Sequence, residues 1–285
     1  VLAGAVAVVV AWILGPTMAQ IDPLRDPVER STVLARFNAV LTPAGPDSRN
    51  QPDPAGDNFP TFDGPPPKIA PADASAERDP DVKTAERSVV KVGVQGCGGD
   101  GTGSGWFASP GIVVTNAHVV DAAEEVVVRL RGMGPARKAT AIWFDPVNDL
   151  ALLRVPALRG VRPLAIVRRP RAGTSGASLG FPGGTKDTLA ARLGTTTKGL
   201  RGRLGGGRDG SDVAGGLGGR LVTPFRGRGS PGISGGPVVD LRGRVLTTIF
   251  AGGSKPPPTG YGVPNTFVSA ALRKAGPAVS TGKCE

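Results

Sequence analysis

Residues 232–237 read Gly-Ile-Ser-Gly-Gly-Pro, so that Ser234 stands among three glycines directly before an apolar run. A serine hydroxyl is a poor nucleophile unless a base removes its proton during attack. Flanking glycines let the backbone turn sharply and point N–H groups toward an oxyanion, as acyl transfer requires. Gly-Ser turns are common in any glycine-rich chain, so the interpretation depends on partners elsewhere in the sequence.

A candidate base is His118, the single histidine of the sequence. It lies in Thr115-Asn116-Ala117-His118-Val119-Val120, just after the apolar stretch Ile112–Val114. A strand that ends by presenting one imidazole is a suitable place for a general base. Taken alone, a lone histidine is more often structural or merely exposed.

A candidate for the carboxylate that orients this base is Asp149, which precedes the apolar run Leu150-Ala151-Leu152-Leu153. A carboxylate at the mouth of an apolar strand tends to be partly buried, and there it can accept the imidazole N–H and fix the tautomer. Asp145 is the rival, but it precedes Pro146 and is typical of a turn.

Serine hydrolases of different folds carry their histidine, aspartate and serine in different orders along the chain. The order here is His118, Asp149, Ser234, which is the chymotrypsin order. The serine motif also matches the nucleophile elbow of α/β-hydrolases, but that fold needs a histidine after the serine, and none follows. A subtilisin order needs an aspartate before the histidine, for instance Asp100, and alternating strands and helices, which this region lacks.

The pattern of short apolar runs and turns from about residue 85 indicates an all-β sandwich or barrel. Short runs rich in Val, Leu and Ile alternate there with glycine-containing turns: Ser88–Val94, Gly111–Thr115, Glu125–Leu130, Leu150–Val155, Ala177–Phe181, Pro237–Asp240 and Arg244–Phe250. Near the C-terminus, Asn265–Lys274 has a helical pattern. The Gly- and Arg-rich stretch 198–219 is interpreted as a surface loop, because no strand–loop–helix pattern surrounds it.

The first residues differ from the rest, and they predict a membrane anchor. The chain carries no charge before Asp22, and its first 19 residues are long enough to cross a bilayer. A signal peptide is the alternative, although the basic start typical of one is missing. Asp26-Pro27 then predicts the start of a short amphipathic helix. We divide the chain into a membrane region with this helix (1–41), a Pro-rich linker (42–85) and one folded domain (86–285).

Charge and cysteine content narrow the function classes. The net charge is +11, but the basic residues are spread along the chain without interleaved aromatics, so we expect no nucleic-acid partner. Cys97 and Cys284 have no metal-ligand spacing, which leaves one disulfide or two free thiols. A preceding membrane span favours an oxidising compartment.

The segments TNAHVV, DLALL and GISGGP resemble the signature motifs of trypsin-like serine proteases of the bacterial HtrA-like type. Within that type the chain is most similar to the actinobacterial membrane-anchored periplasmic proteases linked to acid resistance (MarP-like), and residues 179–184, Leu-Gly-Phe-Pro-Gly-Gly, also match their pattern. One residue departs from it: the family has Asn or Asp before the nucleophile, and this chain has Ile233. An Ile233→Asn substitution is expected to raise activity or leave it unchanged.

The resemblance implies a chymotrypsin-like fold of two β-barrels, about 86–170 and 171–264, followed by a short C-terminal helix, with the active site between the barrels. It implies that His118, Asp149 and Ser234 form the catalytic triad, with the N–H groups of Gly232 and Ser234 as the oxyanion hole. It also implies a substrate pocket with Arg228 at its base, lined by Ala251, Gly252, Gly253, Gly260, Tyr261 and Gly262.

The function expected from these features is a serine endopeptidase, anchored in the cell membrane with its protease domain in the periplasm or cell-wall space. Its partners would be protein or peptide substrates, the membrane through the N-terminal span, and its own linker in self-cleavage. No metal or organic cofactor is required, and the resemblance implies a Cys97–Cys284 disulfide. The alternative is an inactive protease fold that binds peptides or partners, which the departure at Ile233 favours.

Overall fold

The computed structural model describes residues 59–62, 64–96, 99–156, 158, 160–198, 204–205 and 220–283. Two antiparallel barrels dominate these residues, which confirms the expected all-β class and two-barrel architecture. The expected short C-terminal helix is present at Asn265–Lys274. The predicted membrane span, the amphipathic helix and the first part of the predicted linker lie outside the described residues.

The first barrel is a closed ring of six strands. They are β2 (Val89–Gly96), β3 (Gly99–Ser109), β4 (Ile112–Thr115), β5 (Ala123–Leu130), β6 (Arg137–Asp145) and β7 (Leu150–Arg154). They pair in the order β2-β3-β4-β7-β6-β5. Alternate residues of a strand point to one face, and in β2 this places Val90, Val92 and Val94 inside the barrel.

The second barrel is built from six further strands. They are β8 (Ser175–Gly180), β9 (Asp187–Leu193), β12 (Leu221–Arg226), β13 (Pro237–Asp240), β14 (Val245–Gly253) and β15 (Thr259–Pro264). The pairings β8–β9–β12–β15–β14–β13–β8 close the ring. Three two-residue strands extend this sheet: β1 (Thr61–Phe62), β10 (Thr197–Lys198) and β11 (Leu204–Gly205).

The described helices are short and sit at the margins of the barrels. They are α1 (Pro80–Ala85), α2 (Ala117–Val120) and α3 (Asn265–Lys274), with 3₁₀ turns at Ala74–Arg78, Glu86–Ser88 and Pro182–Gly184. No helix within the described ranges is both long and apolar enough to cross a bilayer.

One apolar cluster joins the two barrels. It combines side chains of the first barrel, the second barrel, α1 and α3, including Trp106, Leu152, Leu179, Val239, Val82 and Val268. Trp106 is fully buried, and its indole N–H donates to Thr248 Oγ1 across the interface at 3.1 Å. The contact between the two barrels is therefore made by side chains of the main core. This contact also fixes the cleft between the barrels.

The folded unit begins before residue 86, which differs from the predicted linker 42–85. Asp79 caps α1 by accepting from the N–H groups of Asp81 and Val82, with Pro80 at the first helical position. Val82 and Ala85 are then buried in the cluster between the barrels. The sequence did not predict these contacts for two reasons. The high proline content of this stretch is typical of a linker, and so short a helix has too few apolar residues to show a period.

A buried carboxylate connects this N-terminal segment to the second barrel. Glu86 is 7% exposed. Its two oxygens accept from Lys83 Nζ at 2.7 Å, Lys186 Nζ at 2.6 Å and Thr188 Oγ1 at 2.7 Å. Burial opposes its ionisation, but these three donors together hold the pKa of Glu86 below its ordinary value.

We expect Glu86→Gln to lower the free energy of unfolding by about 1–3 kcal/mol at pH 7, because charge-assisted bonds are lost within a buried site. A depressed carboxyl pKa contributes stability above the unfolded value of about 4.3, and this contribution disappears as the pH falls through the folded pKa. Urea unfolding between pH 7 and pH 3 should therefore show the two proteins converging in acid. An equal loss at both ends of this range, or a similar loss in the exposed variant Glu125→Gln, would contradict the explanation.

Candidate active site

The histidine and the aspartate are brought together by two neighbouring strands of the first barrel. His118 lies on α2 directly after β4, and Asp149 lies directly before β7. These strands are antiparallel, with Thr115 opposite Ala151, so the end of one and the start of the other meet. The pairing register therefore aligns the two side chains.

Asp149 contacts His118 through both carboxylate oxygens. His118 Nδ1 lies 2.8 Å from Oδ2, and the His118 backbone N–H donates to Oδ1 at 2.9 Å. Asp149 has a φ of 53°, a left-handed conformation that non-glycine residues adopt infrequently. Asn116 Nδ2 donates to its backbone carbonyl at 2.8 Å and supports this conformation.

Asp149 is ionised in this setting. Burial favours the neutral acid, but the neighbouring His118, the hydrogen bonds from it and the nearby Arg220 hold the pKa of Asp149 below its ordinary value. A charged Asp149 can only accept hydrogen bonds, so the proton between the two groups belongs to His118 Nδ1. Nε2 is thereby left to accept a proton.

Ser234 meets the histidine from the second barrel. Its Oγ lies 2.9 Å from His118 Nε2, and the residue is 3% exposed. Gly232 (φ 85°) and Gly235 (φ 84°) flank it in left-handed conformations. A Cβ on Gly235 would lie 2.1 Å from Ser104 O, so this turn has no room for another residue type.

Ser104, on β3 of the first barrel, holds the nucleophile loop of the second. Its N–H donates to Ser234 O at 2.7 Å, and its hydroxyl donates to Gly232 O at 2.7 Å. The same hydroxyl accepts from the Phe181 N–H at 2.9 Å. Ser104 has no polar neighbours in the sequence to suggest this role, and its partners are far along the chain.

Two N–H groups of the loop make no backbone hydrogen bond to any described residue. The N–H groups of Ile233, Gly235 and Gly236 donate to Ser230 O, Ile249 O and Ile233 O. Within the described ranges, neither the Gly232 N–H nor the Ser234 N–H donates a hydrogen bond to a backbone carbonyl. These are the two groups that the family resemblance implies as an oxyanion hole, and that role stays a prediction.

The residues expected to line a substrate pocket fall into two groups. Ala251 and Gly252 on β14 pair with Tyr261 and Gly260 on β15, so the structure brings this group together with their neighbours Gly253 and Gly262. Tyr261 is fully buried, and burial raises the pKa of its hydroxyl. Arg228, in contrast, is exposed, and its place at the base of a pocket stays a prediction.

Sequence reasoning missed Arg220, which directly follows the Gly- and Arg-rich stretch. Its Nη2 donates a short hydrogen bond to Asn148 O, and its guanidinium carbon lies 4.5 Å from the centre of the Phe250 ring. Burial lowers the pKa of the Arg220 guanidinium, and the carboxylates of Asp149 and Asp145 oppose this effect. Arg220 therefore ties the second barrel to the loop that presents Asp149, and no sequence motif distinguishes it from neighbouring arginines.

Ile233 is a core residue. Its side chain is fully buried in the second barrel, in an apolar cluster with Ala191, Leu193, Phe225, Val238, Leu246 and Ile249. The expectation that asparagine would be neutral or beneficial here rested on the Asn or Asp that the family has at this position. The surroundings are apolar, so the structure supports the opposite expectation.

We expect Ile233→Asn to lower the free energy of unfolding by about 3 kcal/mol or more, since it removes apolar packing and buries an amide among hydrocarbon side chains. Ile233→Val, the matched control, should lose only about 1 kcal/mol. Urea unfolding of both variants measures the difference. An asparagine variant as stable as the parent would show that a polar partner for this side chain exists.

Comparison with known proteins places these features in a family. The model of the trypsin-like peptidase domain matches residues 103–246, about half of the chain. Serine protease Rv3671c of Mycobacterium tuberculosis is 33% identical over 224 residues, which are 76% of this chain and 53% of that protein. Protease Do-like 2 of Arabidopsis thaliana chloroplasts is 30% identical over 173 residues, 59% of this chain and 27% of its own.

Solved structures agree with the sequence comparison. The crystal structure of the active form of the Rv3671c protease superimposes with a TM-score of 0.66 at 32% identity, covering 77% of this chain and 95% of that one. Its inactive form gives a TM-score of 0.59 at 31% identity and covers 74% and 100%. The chain spans about half the length of these Mycobacterium tuberculosis relatives. By motif, fold and sequence similarity, this chain belongs to the trypsin-like peptidase family.

Proposed function

We propose that the protein is a serine endopeptidase that cleaves peptide bonds through an acyl-enzyme. The observation that carries this proposal is the continuous line from Asp149 Oδ2 through both ring nitrogens of His118 to Ser234 Oγ, with distances of 2.8 and 2.9 Å. The chemistry needs a nucleophile, a base within hydrogen-bond reach and a third group that orients the base. The residue types and the order of contacts supply all three.

The proposed reaction has two halves. Ser234 Oγ attacks the carbonyl carbon of the substrate while its proton moves to His118 Nε2, and Asp149 stabilises the imidazolium. The Gly232 and Ser234 N–H groups stabilise the oxyanion. His118 then protonates the leaving amine as the C–N bond breaks. In the second half, a water loses its proton to His118 and hydrolyses the ester, which restores Ser234.

Labelling with a fluorophosphonate tests this proposal, because the reagent reacts with an activated serine and not with an ordinary one. The folded chain should be labelled at Ser234, and the label should disappear after denaturation or in Ser234→Ala. The same experiment decides the alternative of a protease fold that binds peptides without cleaving them. A folded chain that resists the label would support that alternative and contradict the proposed endopeptidase.

The proposed setting is the cell membrane, with the protease domain outside the cytoplasm. The uncharged apolar run before Asp22 supports an anchor of bilayer length. Self-cleavage in the Pro-rich region between this run and the barrels is part of the same proposal. Fractionation of cells and digestion of intact spheroplasts with an added protease would test both the anchor and the side of the membrane.

A Cys97–Cys284 disulfide is also proposed. Both cysteines lie outside the described residues, but their described neighbours converge on one loop. Gly96 pairs with Ala123, and a Cβ on Gly96 would lie 2.7 Å from Ala122 O. Near the C-terminus, Thr281 O accepts from the Ala122 N–H at 2.8 Å. The two segments that carry the cysteines are therefore held against the same residue.

We expect non-reducing mass spectrometry to find the bridge, and activity to fall on reduction and to a similar extent in Cys97→Ser. Because the bridge closes nearly the whole domain into one loop, its loss should lower stability by at most about 5 kcal/mol. Two freely alkylated thiols in the native, active protein would contradict this prediction.

A further inference from the structure

The chain covers one edge of its own second barrel with residues 59–62. Gly252 N–H donates to Pro60 O at 3.0 Å, and Ser254 N–H donates to Phe62 O at 3.0 Å. Thr61 and Phe62 run parallel to β14, opposite Gly252 and Gly253. Unpaired N–H and C=O groups at the edge of a sheet are a template for an added peptide strand. Here the added strand comes from the same chain.

This edge leads directly to the nucleophile loop. Farther back along β14, Ile249 N–H donates to Gly236 O at 2.8 Å, and Ile249 O accepts from the Gly235 N–H at 2.8 Å. Gly252 lies three residues beyond Ile249, or about 10 Å along an extended strand. An extended peptide bound at the edge therefore reaches Ser234 within a few residues.

Phe59 fills a seat that two glycines leave open. A Cβ on Gly252 would lie 2.8 Å from Phe59 Cε1, and a Cβ on Gly229 would lie 3.1 Å from Phe59 Cζ. The ring is partly buried and packs against the apolar cluster of the second barrel that contains Leu193, Phe225 and Ile249. A Cβ at either glycine position would crowd the ring, so the seat depends on both glycines and fits a large apolar side chain.

Phe62 anchors the other end of the segment. It is 1% exposed, and its ring meets the Tyr261 ring edge-on, with centroids 5.4 Å apart. Ser254 Oγ lies 3.3 Å from Phe62 O and adds a weak hydrogen bond. Backbone pairing and burial of aromatic rings thus combine along these four residues, as in peptide recognition by strand addition.

We propose that residues 59–62 occupy the edge 252–254 and the seat between Gly229 and Gly252, which belong to the substrate pocket implied by the family resemblance, until a substrate displaces them. The ligand class is an extended peptide with an aromatic or large aliphatic side chain for the seat. The role of this site in catalysis rests on the proposed function, but its occupancy by residues 59–62 does not. Because a substrate binds only to the fraction of molecules with the segment released, the resident segment raises the apparent dissociation constant.

The first experiment compares Phe59→Ala with Met133→Ala in the full chain, using a chromogenic peptide with an aromatic residue at the cleavage position. Met133 is 75% exposed and serves as the matched control. Phe59→Ala should raise kcat/KM by roughly tenfold or more, through KM and not kcat, because the released fraction grows. The rate of fluorophosphonate labelling should stay the same in all three proteins, because this small reagent needs only Ser234. An unchanged or higher KM in Phe59→Ala would overturn the proposal.

The second experiment measures binding without catalysis, in chains that also carry Ser234→Ala. A fluorescein-labelled peptide Asn-Phe-Pro-Thr-Phe, the sequence of residues 58–62, should bind to the Phe59→Ala chain at least tenfold more tightly than to the chain with Phe59, as measured by anisotropy. The same peptide with alanine in place of its first phenylalanine should bind more weakly. Equal affinities in the two chains would overturn the occupancy model. A failure of the endopeptidase proposal, seen as absence of labelling, would leave this result intact.

A measurement on the unmodified chain covers the case in which Phe59→Ala does not fold. Release of residues 59–62 frees the amides of Gly252 and Ser254 but not the amide of Ile249, which bonds within the barrel. The first two should therefore exchange with deuterium at least tenfold faster than the third, since they open without global unfolding. Equal protection of the three amides would show that the segment is a permanent part of the barrel.

Discussion

Ser234→Ala should abolish peptide hydrolysis while leaving the protein folded. Removing the nucleophile of a serine protease typically lowers kcat on the order of a million-fold, and the triad members act as one unit. The substitution deletes one oxygen, whose recorded hydrogen bond is to His118 Nε2 at 2.9 Å. The backbone bonds that shape the loop involve other atoms, so they should persist.

Casein hydrolysis and thermal unfolding measure the two halves of this expectation. Activity should fall to the background level, and the melting temperature should change by no more than a few degrees. If the alanine chain cleaves casein or its own linker like the parent, another group is the nucleophile. A large fall in melting temperature would instead show that the hydroxyl is structural.

Asp149→Asn should lower turnover about ten-thousand-fold. An asparagine amide opposite His118 Nδ1 can donate a hydrogen bond, so the imidazole turns to the tautomer with its proton on Nε2. That proton then faces Ser234 Oγ, and the histidine cannot act as a base. Steady-state kinetics should show the loss in kcat, with little change in fold, because the amide has nearly the same shape as the carboxylate.

Asp145→Asn is the matched control for this change. Asp145 lies four residues away and accepts from the Asn148 N–H at 3.0 Å and from Asn148 Nδ2 at 2.7 Å, as a turn residue does. We expect it to change turnover by less than about tenfold, since it does not contact His118. The reverse ranking of the two variants would move the proposed triad member from Asp149 to Asp145.

The parts that were predictable from the sequence are those that local patterns encode. Short apolar runs and turn residues indicated an all-β fold. The order of three short motifs favoured the chymotrypsin arrangement over the α/β-hydrolase and subtilisin arrangements. The motifs of His118 and Asp149 lie on strands that pair directly, so a local register brings them together. Membership of the trypsin-like family is confirmed, whereas the roles of the individual site residues stay predictions.

The parts that were not predictable depend on contacts between distant segments. Ser104 reaches the nucleophile loop across the barrel interface, and Arg220 reaches Asn148 from the end of a low-complexity stretch. Ile233 next to the nucleophile suggested a defect in a polar loop, although its side chain belongs to the core. Phe59 and Phe62 stand among prolines, where no periodicity reveals that they are buried.

The bonds of Ser104 have a consequence for biosynthesis. The loop that carries Ser234 is held by a residue of the first barrel, so we expect neither barrel to hold this loop in place on its own. During translation the first barrel emerges early, while the loop that carries Ser234 is among the later segments to appear. If the proposed function holds, a partly made or misdocked chain lacks the aligned serine and should not cleave peptides. The same dependence predicts that exchanging one barrel between relatives fails unless the residue at position 104 and the loop around Ser234 are exchanged together.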